Sequence, residues 1–473
     1  MYVGGSWVDS RCGATREVFD PATETPVACV AYGDASDCEA AIEAARQAFP
    51  GWSGRTPYER GAFLKAAADR IRGHLDALGR LTSEESGKPF AEARGEWSVA
   101  ADLFEWFAEE GKRAYGRTIP SRLTHKRMQT IKQAMGVAGV ITAWNFPAYN
   151  PARAWAAALA AGCTVVGRPS EYTPRTALAI GAMLAESGLP AGVLNVVIGP
   201  ADPMAQRMLD HPAVRIISFT GSTNVGRKLM DGASRTFTRL SLELGGNAPV
   251  LVFPDVDVEA MAKAAVTARF RNCGQVCVAP QRFMVHAKIH DELVERMARH
   301  VQALRVGRGL DEGTQIGPMI NARQRDRVEA LVDEARAGGV AVLAGGARPA
   351  HLERGYFYSP TLLGGVKPHM PVYADEIFGP VMPVASFEDL DEALAIANGT
   401  EYGLAAYVWT NDLRTAIRAS EGLDFGMVGV NEWSPHATEA PFGGRKASGL
   451  GHESGPEGLE EYMETKLVSF GGL

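Results

Sequence analysis

The sequence predicts two successive α/β domains, the first built on a doubly wound parallel sheet. Three observations carry this. Strands and helices alternate at short spacing from Val137 to Leu244, a second alternation runs from Val258 to Val430, and residues 36–112 read as helices alone. The helical stretch shows ~3.6-residue apolar periodicity over Cys38–Phe49, Pro57–Ser86 and Phe90–Lys112, enough to cover one face of a sheet. In the first alternation, strands are expected at Val137–Trp144, Thr164–Arg168, Leu194–Ile198, Arg215–Thr220 and Thr238–Leu244. Helices are expected between them at Pro151–Ala161, Thr173–Ser187, Pro203–Asp210 and Ser222–Gly232. The second run reads as helix Val258–Arg271, strand Arg282–Val285, helices Asp291–Val306 and Ala322–Gly338, then strand Val340–Leu343. It closes with strand Ala405–Val408, helix Leu413–Gly422 and strand Met427–Val430. A doubly wound sheet binds ligands beyond the carboxyl ends of its strands, where Trp144-Asn145, Arg168-Pro169 and Thr220-Gly221 fall.

The composition is that of an ordinary globular protein. The chain has 473 residues, 46% apolar and 22% charged, enough for two or three domains with large cores. Its net charge of −7 leaves no polybasic stripe for nucleic acid or an anionic membrane surface. Residues 1–10 have neither a basic nor an apolar leader segment, and no apolar run approaches the ~20 residues of a membrane span. The six Cys show no regular spacing and no Cys-x-x-Cys, which points to reduced thiols and a cytoplasmic location. His286 and His290 are four apart but lack a third ligand, so no metal is expected.

Two stretches carry chemistry. Phe270-Arg271-Asn272-Cys273-Gly274-Gln275-Val276-Cys277 places a thiol after a Gly-containing turn; Leu242-Glu243-Leu244-Gly245-Gly246-Asn247 ends an apolar strand on a carboxylate. A thiolate that attacks a carbonyl and a carboxylate that activates water need those two residue types. The thiol is expected to be exposed near a helix start, where backbone N–H groups lower its pKa. A third stretch, Phe219 to Gly226, runs from strand through Gly into helix, and its N–H groups and dipole suit a diphosphate. Its Gly-x-x-x-x-Gly spacing is not the usual dinucleotide fingerprint, and alone it fits a capped helix equally well.

Together these stretches resemble the aldehyde dehydrogenase superfamily over nearly the whole chain. The resemblance implies Cys277 as nucleophile, Glu243 as base, and Asn145 of Trp144-Asn145-Phe146-Pro147 as the oxyanion donor, together with the Cys277 N–H. It also implies a nicotinamide dinucleotide held by Trp144, Arg168, Ser170, Glu171, Gly221, Ser222, Gly226, Leu244, Glu376 and Phe378. Glu171 would bond the ribose hydroxyls and repel a 2′-phosphate, favouring NAD. Arg168 stands where the family usually has Lys, and its wider fork, suited to phosphate, keeps NADP open. The family pattern assigns 1–115 and 135–245 to the cofactor domain and 246–447 to the catalytic domain. Segments 116–134 and 460–473 would be β-arms joining subunits into a homodimer or homotetramer.

Arg153 and Arg271 occupy pocket positions that are aromatic or apolar across much of the family. Two guanidinium groups suit a carboxylate. With the Leu-Glu-Leu-Gly-Gly-Asn-Ala-Pro stretch and the Glu439-to-Gly451 tail that holds Phe442, they resemble the succinate-semialdehyde dehydrogenase branch. Tyr149, Trp433 and His436 depart from that branch, so an aromatic or other polar aldehyde is the alternative. Glu243 argues against a relative that releases an acyl-CoA, and intact Cys277, Asn145 and Glu243 argue against a silent structural protein.

Overall fold

A computed structural model describes residues 1–472; the last residue of the expected arm, Leu473, lies outside the described residues. The first sheet has eight strands in the spatial order Gly449–Leu450, Arg239–Glu243, Val214–Thr220, Val137–Ile141, Thr164–Arg168, Leu194–Val196, Tyr2–Val3, Ser6–Trp7. The five strands from 137 to 243 pair in parallel, and antiparallel strands close both edges. Strand Val137–Ile141 lies between Thr164–Arg168, which follows it in the chain, and Val214–Thr220, to which the chain crosses back after Leu194–Val196, so the residues after Ile141 sit at the switch point of the sheet. Its side chains are buried throughout, as are those of Thr164–Arg168, so both faces are covered and the strands read as apolar runs.

The second sheet has seven strands, in the order Ala341–Ala344, Thr361–Gly364, Val381–Phe387, Pro280–His286, Ala248–Val252, Ala405–Trp409, Met427–Val430. All pair in parallel except the edge strand Ala341–Ala344. Strands Ala248–Val252, Thr361–Gly364 and Val381–Phe387 are additions to the expected order. They are short, almost wholly buried and without alternation, and two of them contain Pro, so periodicity gave no signal for them. One apolar core runs from Met1 to Leu244 and takes in Leu459, Tyr462 and Met463, and a second spans Ala248 to Phe442.

The expected helix over 57–86 is two helices, Pro57–Gly73 and Leu75–Ser86, broken where His74 leaves helical geometry (φ −125°, ψ 17°). The first is set by a capping box at Thr56 and Glu59. Strands Arg117–Ile119, Lys126–Ala134 and Met463–Gly471 form a separate antiparallel sheet that exposes Leu467 and Phe470. Among the described residues no helix is long and apolar enough to cross a membrane.

Candidate active site

Cys277 lines two cavities that meet at its side chain. One, of about 500 Å³, opens along the strand ends of the first sheet and is lined by Trp144, Asn145, Gly221, Ser222, Glu243, Leu244, Glu376 and Phe378. The other, of about 570 Å³, is lined by Phe146, Tyr149, Arg153, Arg271, His436 and Phe442. Three of the sequence-predicted dinucleotide residues, Arg168, Ser170 and Glu171, stand at the end of the adjacent strand, outside the lining of the first cavity. Gly226 serves packing: a Cβ there would lie 2.6 Å from a Leu244 methyl carbon.

Cys277 is half-buried in a turn before strand Pro280–His286, and no helix begins there. This corrects the expectation of a thiol acidified by a helix start. Burial pushes the Cys277 thiol up to about 12, with Arg153 opposing and the Glu243 and Glu376 charges adding to the rise. Glu243 ends its strand buried, with both carboxylate oxygens lacking a hydrogen-bond partner. Burial, followed by the charge of Glu453, raises its carboxyl well above the usual range, while Arg153 opposes. Such a carboxylate is a stronger base than one in water.

The turn leading to Cys277 is fixed by unusual backbone. Asn272 and Cys273 adopt left-handed φ values of 49° and 57°, followed by Gly274 at 70°. A side chain at Gly274 would strike the Gly379 carbonyl at 2.2 Å, and buried Arg269 donates to the carbonyls of Gly379 and Val381, both at 2.7 Å. Asn145 Nδ2 donates to the Gln275 carbonyl (3.1 Å), and Asn150 donates to Asn145 Oδ1 (3.4 Å). The Asn145 NH₂ is thereby turned toward the cysteine turn with a second N–H to give. The Asn145 carbonyl is held by Asn272 Nδ2 (2.9 Å) and Lys88 Nζ (3.0 Å).

Lys88 was not singled out from the sequence. It is fully buried, pairs with Glu96, and lies 4.0 Å from the centre of the Phe146 ring. Glu96 accepts the N–H groups of Ala148 and Tyr149 (2.7 and 3.0 Å) and so anchors the start of helix Tyr149–Ala161, which carries Arg153. Glu453, two residues beyond the quoted tail motif, was also missed; it pairs with buried Arg153 and accepts from Ser218 Oγ (3.0 Å). No local spacing marks either carboxylate, because each meets its partner only through the fold.

The cavity along the strand ends has a shaped wall and a free helix start. Gly245 forms its wall, where a Cβ would lie 2.9 Å from Glu376 Oε2 and 3.2 Å from the Tyr402 ring. Glu376 Oε1 accepts the Gly246 N–H at 2.9 Å, and Phe378, at φ 50°, sits edge-on to Trp144 with ring centres 5.4 Å apart. Ser222 precedes helix Thr223–Ala233 and makes no capping bond, so the helix start faces the cavity. Arg168 donates from Nε and Nη2 to the Gly199 carbonyl (3.0 and 2.5 Å) and from Nη2 to Glu171 (2.6 Å), while its Nη1 makes no hydrogen bond among the described residues.

Residues 7–468 match the aldehyde dehydrogenase family. The chain belongs to that family. It is an oxidoreductase of aldehydes that works with a nicotinamide dinucleotide. It is 43% identical to the NADP-type succinate-semialdehyde dehydrogenase of Escherichia coli, over 99% of this chain and 97% of that one. It is 42% identical to the non-phosphorylating aspartate-semialdehyde dehydrogenase of Halomonas elongata, over 100% of this chain and 95% of that one. The crystal structure of betaine aldehyde dehydrogenase from Staphylococcus aureus in complex with NAD+ superposes with a TM-score of 0.97 at 35% identity, covering 100% of this chain and 94% of that one.

The predicted substrate residues divide between two chambers. Tyr149, Arg153, Arg271, His436 and Phe442 line the chamber that ends on Cys277. Trp433 lies outside it, stacked on Trp409 (4.7 Å between ring centres) and lining an adjoining chamber of about 670 Å³ that shares Arg271 and His436. Arg153 and Arg271 do not form a matched clamp, because Glu453 occupies part of the Arg153 fork. Arg153 Nε and Nη1 are buried without a hydrogen-bond partner, and Arg271 is exposed, with its guanidinium 5.4 Å from the Phe146 ring centre.

Proposed function

We propose that this enzyme oxidises a small anionic semialdehyde, of the succinate-semialdehyde kind, to the carboxylic acid. The observation that carries this reading is the pair of unpartnered nitrogens on buried Arg153, in the chamber that ends on Cys277 and is walled on another side by Arg271. Buried N–H donors left free are costly unless a ligand takes them, and a carboxylate is the acceptor a guanidinium fits best. Two relatives at 42–43% identity are named for aldehydes that bear a carboxylate, which supports the same choice.

In this mechanism Cys277 Sγ, after losing its proton to solvent water, adds to the aldehyde carbon and forms a tetrahedral oxyanion. Asn145 Nδ2 and the Cys277 N–H stabilise that oxygen without competing for a proton. The bound nicotinamide supplies the hydride acceptor. Glu243 then takes a proton from the water that cleaves the thioester on Sγ, releasing the acid and restoring the thiol. Free, buried Glu243 supports hydrolytic release over transfer to CoA.

Succinate semialdehyde is expected to exceed butyraldehyde in kcat/KM by about 10- to 100-fold, the scale of a charge-assisted hydrogen bond. Arg271→Leu should erase most of that ratio by lowering succinate semialdehyde oxidation. Equal kcat/KM for the two aldehydes in the unaltered enzyme would overturn the carboxylate reading. An aromatic aldehyde would then be the substrate to test, since Phe146, Tyr149, His436 and Phe442 line the same chamber.

For the dinucleotide, a lower KM for NAD than for NADP is expected. Glu171 should disfavour the 2′-phosphate, and Arg168 already gives Nε and Nη2 to Gly199 and Glu171. Glu171→Ser should narrow the difference by about tenfold, which initial rates with each cofactor would read. Preference for NADP in the unaltered enzyme would reverse the assignment. The exposed sheet of 117–119, 126–134 and 463–471 is, on this reading, the arm that joins subunits into a homodimer or homotetramer.

A further inference from the structure

We infer that the substrate carries, besides its carboxylate, a hydroxyl group on the neighbouring carbon, and that His436 reads it. The inference rests on the anionic-semialdehyde reading above.

His436 is the polar side chain that the carboxylate reading leaves unexplained. It lines both the chamber that ends on Cys277 and the outer chamber, in each case together with Arg271. Its ring meets Tyr149 and Phe442 edge-on, with centres 6.4 and 5.8 Å apart, and takes no hydrogen bond from either. Nδ1 is buried and makes no hydrogen bond. A buried nitrogen without a partner is rare enough to call for one.

The surroundings select the kind of partner. Burial, then the charges of Arg271 and Arg153, push His436 down to about 4, so the ring is neutral at ordinary pH. A neutral imidazole carries one N–H and one lone pair, and a hydroxyl can satisfy Nδ1 in either tautomer. An ammonium could serve Nδ1 only as donor, and only in the tautomer that leaves the lone pair there. Glu92, a carboxylate lining both chambers, already accepts the Asn272 N–H at 2.9 Å. If Arg153 and Arg271 take the carboxylate, His436, which lines the chamber together with both, is the group left to meet a substituent on the adjacent carbon. An unsubstituted chain would leave Nδ1 unpaired.

Three four-carbon aldehydes of nearly equal size separate the cases: 4-oxobutanoate, 2-hydroxy-4-oxobutanoate and 2-amino-4-oxobutanoate, with butyraldehyde as the uncharged control. The hydroxylated compound should exceed 4-oxobutanoate in kcat/KM by about tenfold in the unaltered enzyme. His436→Phe should bring that ratio to about one, and His436→Gln, which can still donate and accept, should keep part of it. A ratio of one or less in the unaltered enzyme, or a preference for the amino compound, overturns the inference, whatever becomes of the variants. If 4-oxobutanoate still exceeds butyraldehyde in that case, only the hydroxyl assignment falls. If it does not, the carboxylate reading falls and takes this inference with it.

Discussion

Cys277→Ala is expected to lower aldehyde oxidation by about 10⁴-fold or more, the scale seen when an enzyme loses its nucleophile. None of the other five thiols is placed to substitute. Cys273 is buried, with its sulfur 3.8 Å from that of Met319, and Cys38 and Cys163 lie inside the first core. Cys12 and Cys29 are exposed and line neither cavity that meets at Cys277. Removing one sulfur from a half-buried side chain should cost little stability, so the melting temperature and the binding of the dinucleotide should remain near those of the unaltered enzyme. More than trace turnover in the folded variant would show that the nucleophile is elsewhere.

Glu243→Gln should separate the two halves of the reaction. A single burst of reduced cofactor, about one per site, is expected, followed by turnover lowered by about 10²- to 10⁴-fold, the scale of a lost general base. The sign of the pH dependence follows from the site. Glu243 works as the carboxylate, and burial raises its carboxyl above the usual range, so steady-state turnover should climb as pH rises through that raised value. The Gln variant should lose this climb. Rapid-mixing absorbance over a range of pH reads the burst and the steady state together. Full turnover in the variant would mean that another group activates the water.

Much of the fold was legible because the signals were local. Strand Thr164–Arg168 and helix Leu413–Gly422 fall where the sequence places them, since uninterrupted apolar or 3.6-periodic runs report burial directly. The break at His74 was not legible, because a helix-compatible sequence continues across it and only packing divides it. The acidity of Cys277 was misread for a related reason. The Gly-Gln turn looks like a helix start in sequence, yet the chain makes a left-handed turn at Asn272–Gly274 and then enters a strand.

By itself the sequence determined the residue types that do chemistry and their order: a thiol after a Gly-Gln turn, a carboxylate ending a strand, an amide after another. Bond-forming capacity belongs to the side chain and travels with it. What those groups face was decided only by the tertiary structure. Glu453 ties down part of Arg153, Gly199 and Glu171 occupy Nε and Nη2 of Arg168, and Lys88 with Asn272 holds the carbonyl of Asn145. Glu453 lies 300 residues from Arg153, and Lys88 lies 57 residues from Asn145. Partners that distant meet because two sheets bring their strand ends together. Desolvation there, rather than any local motif, sets the protonation of Cys277 and Glu243.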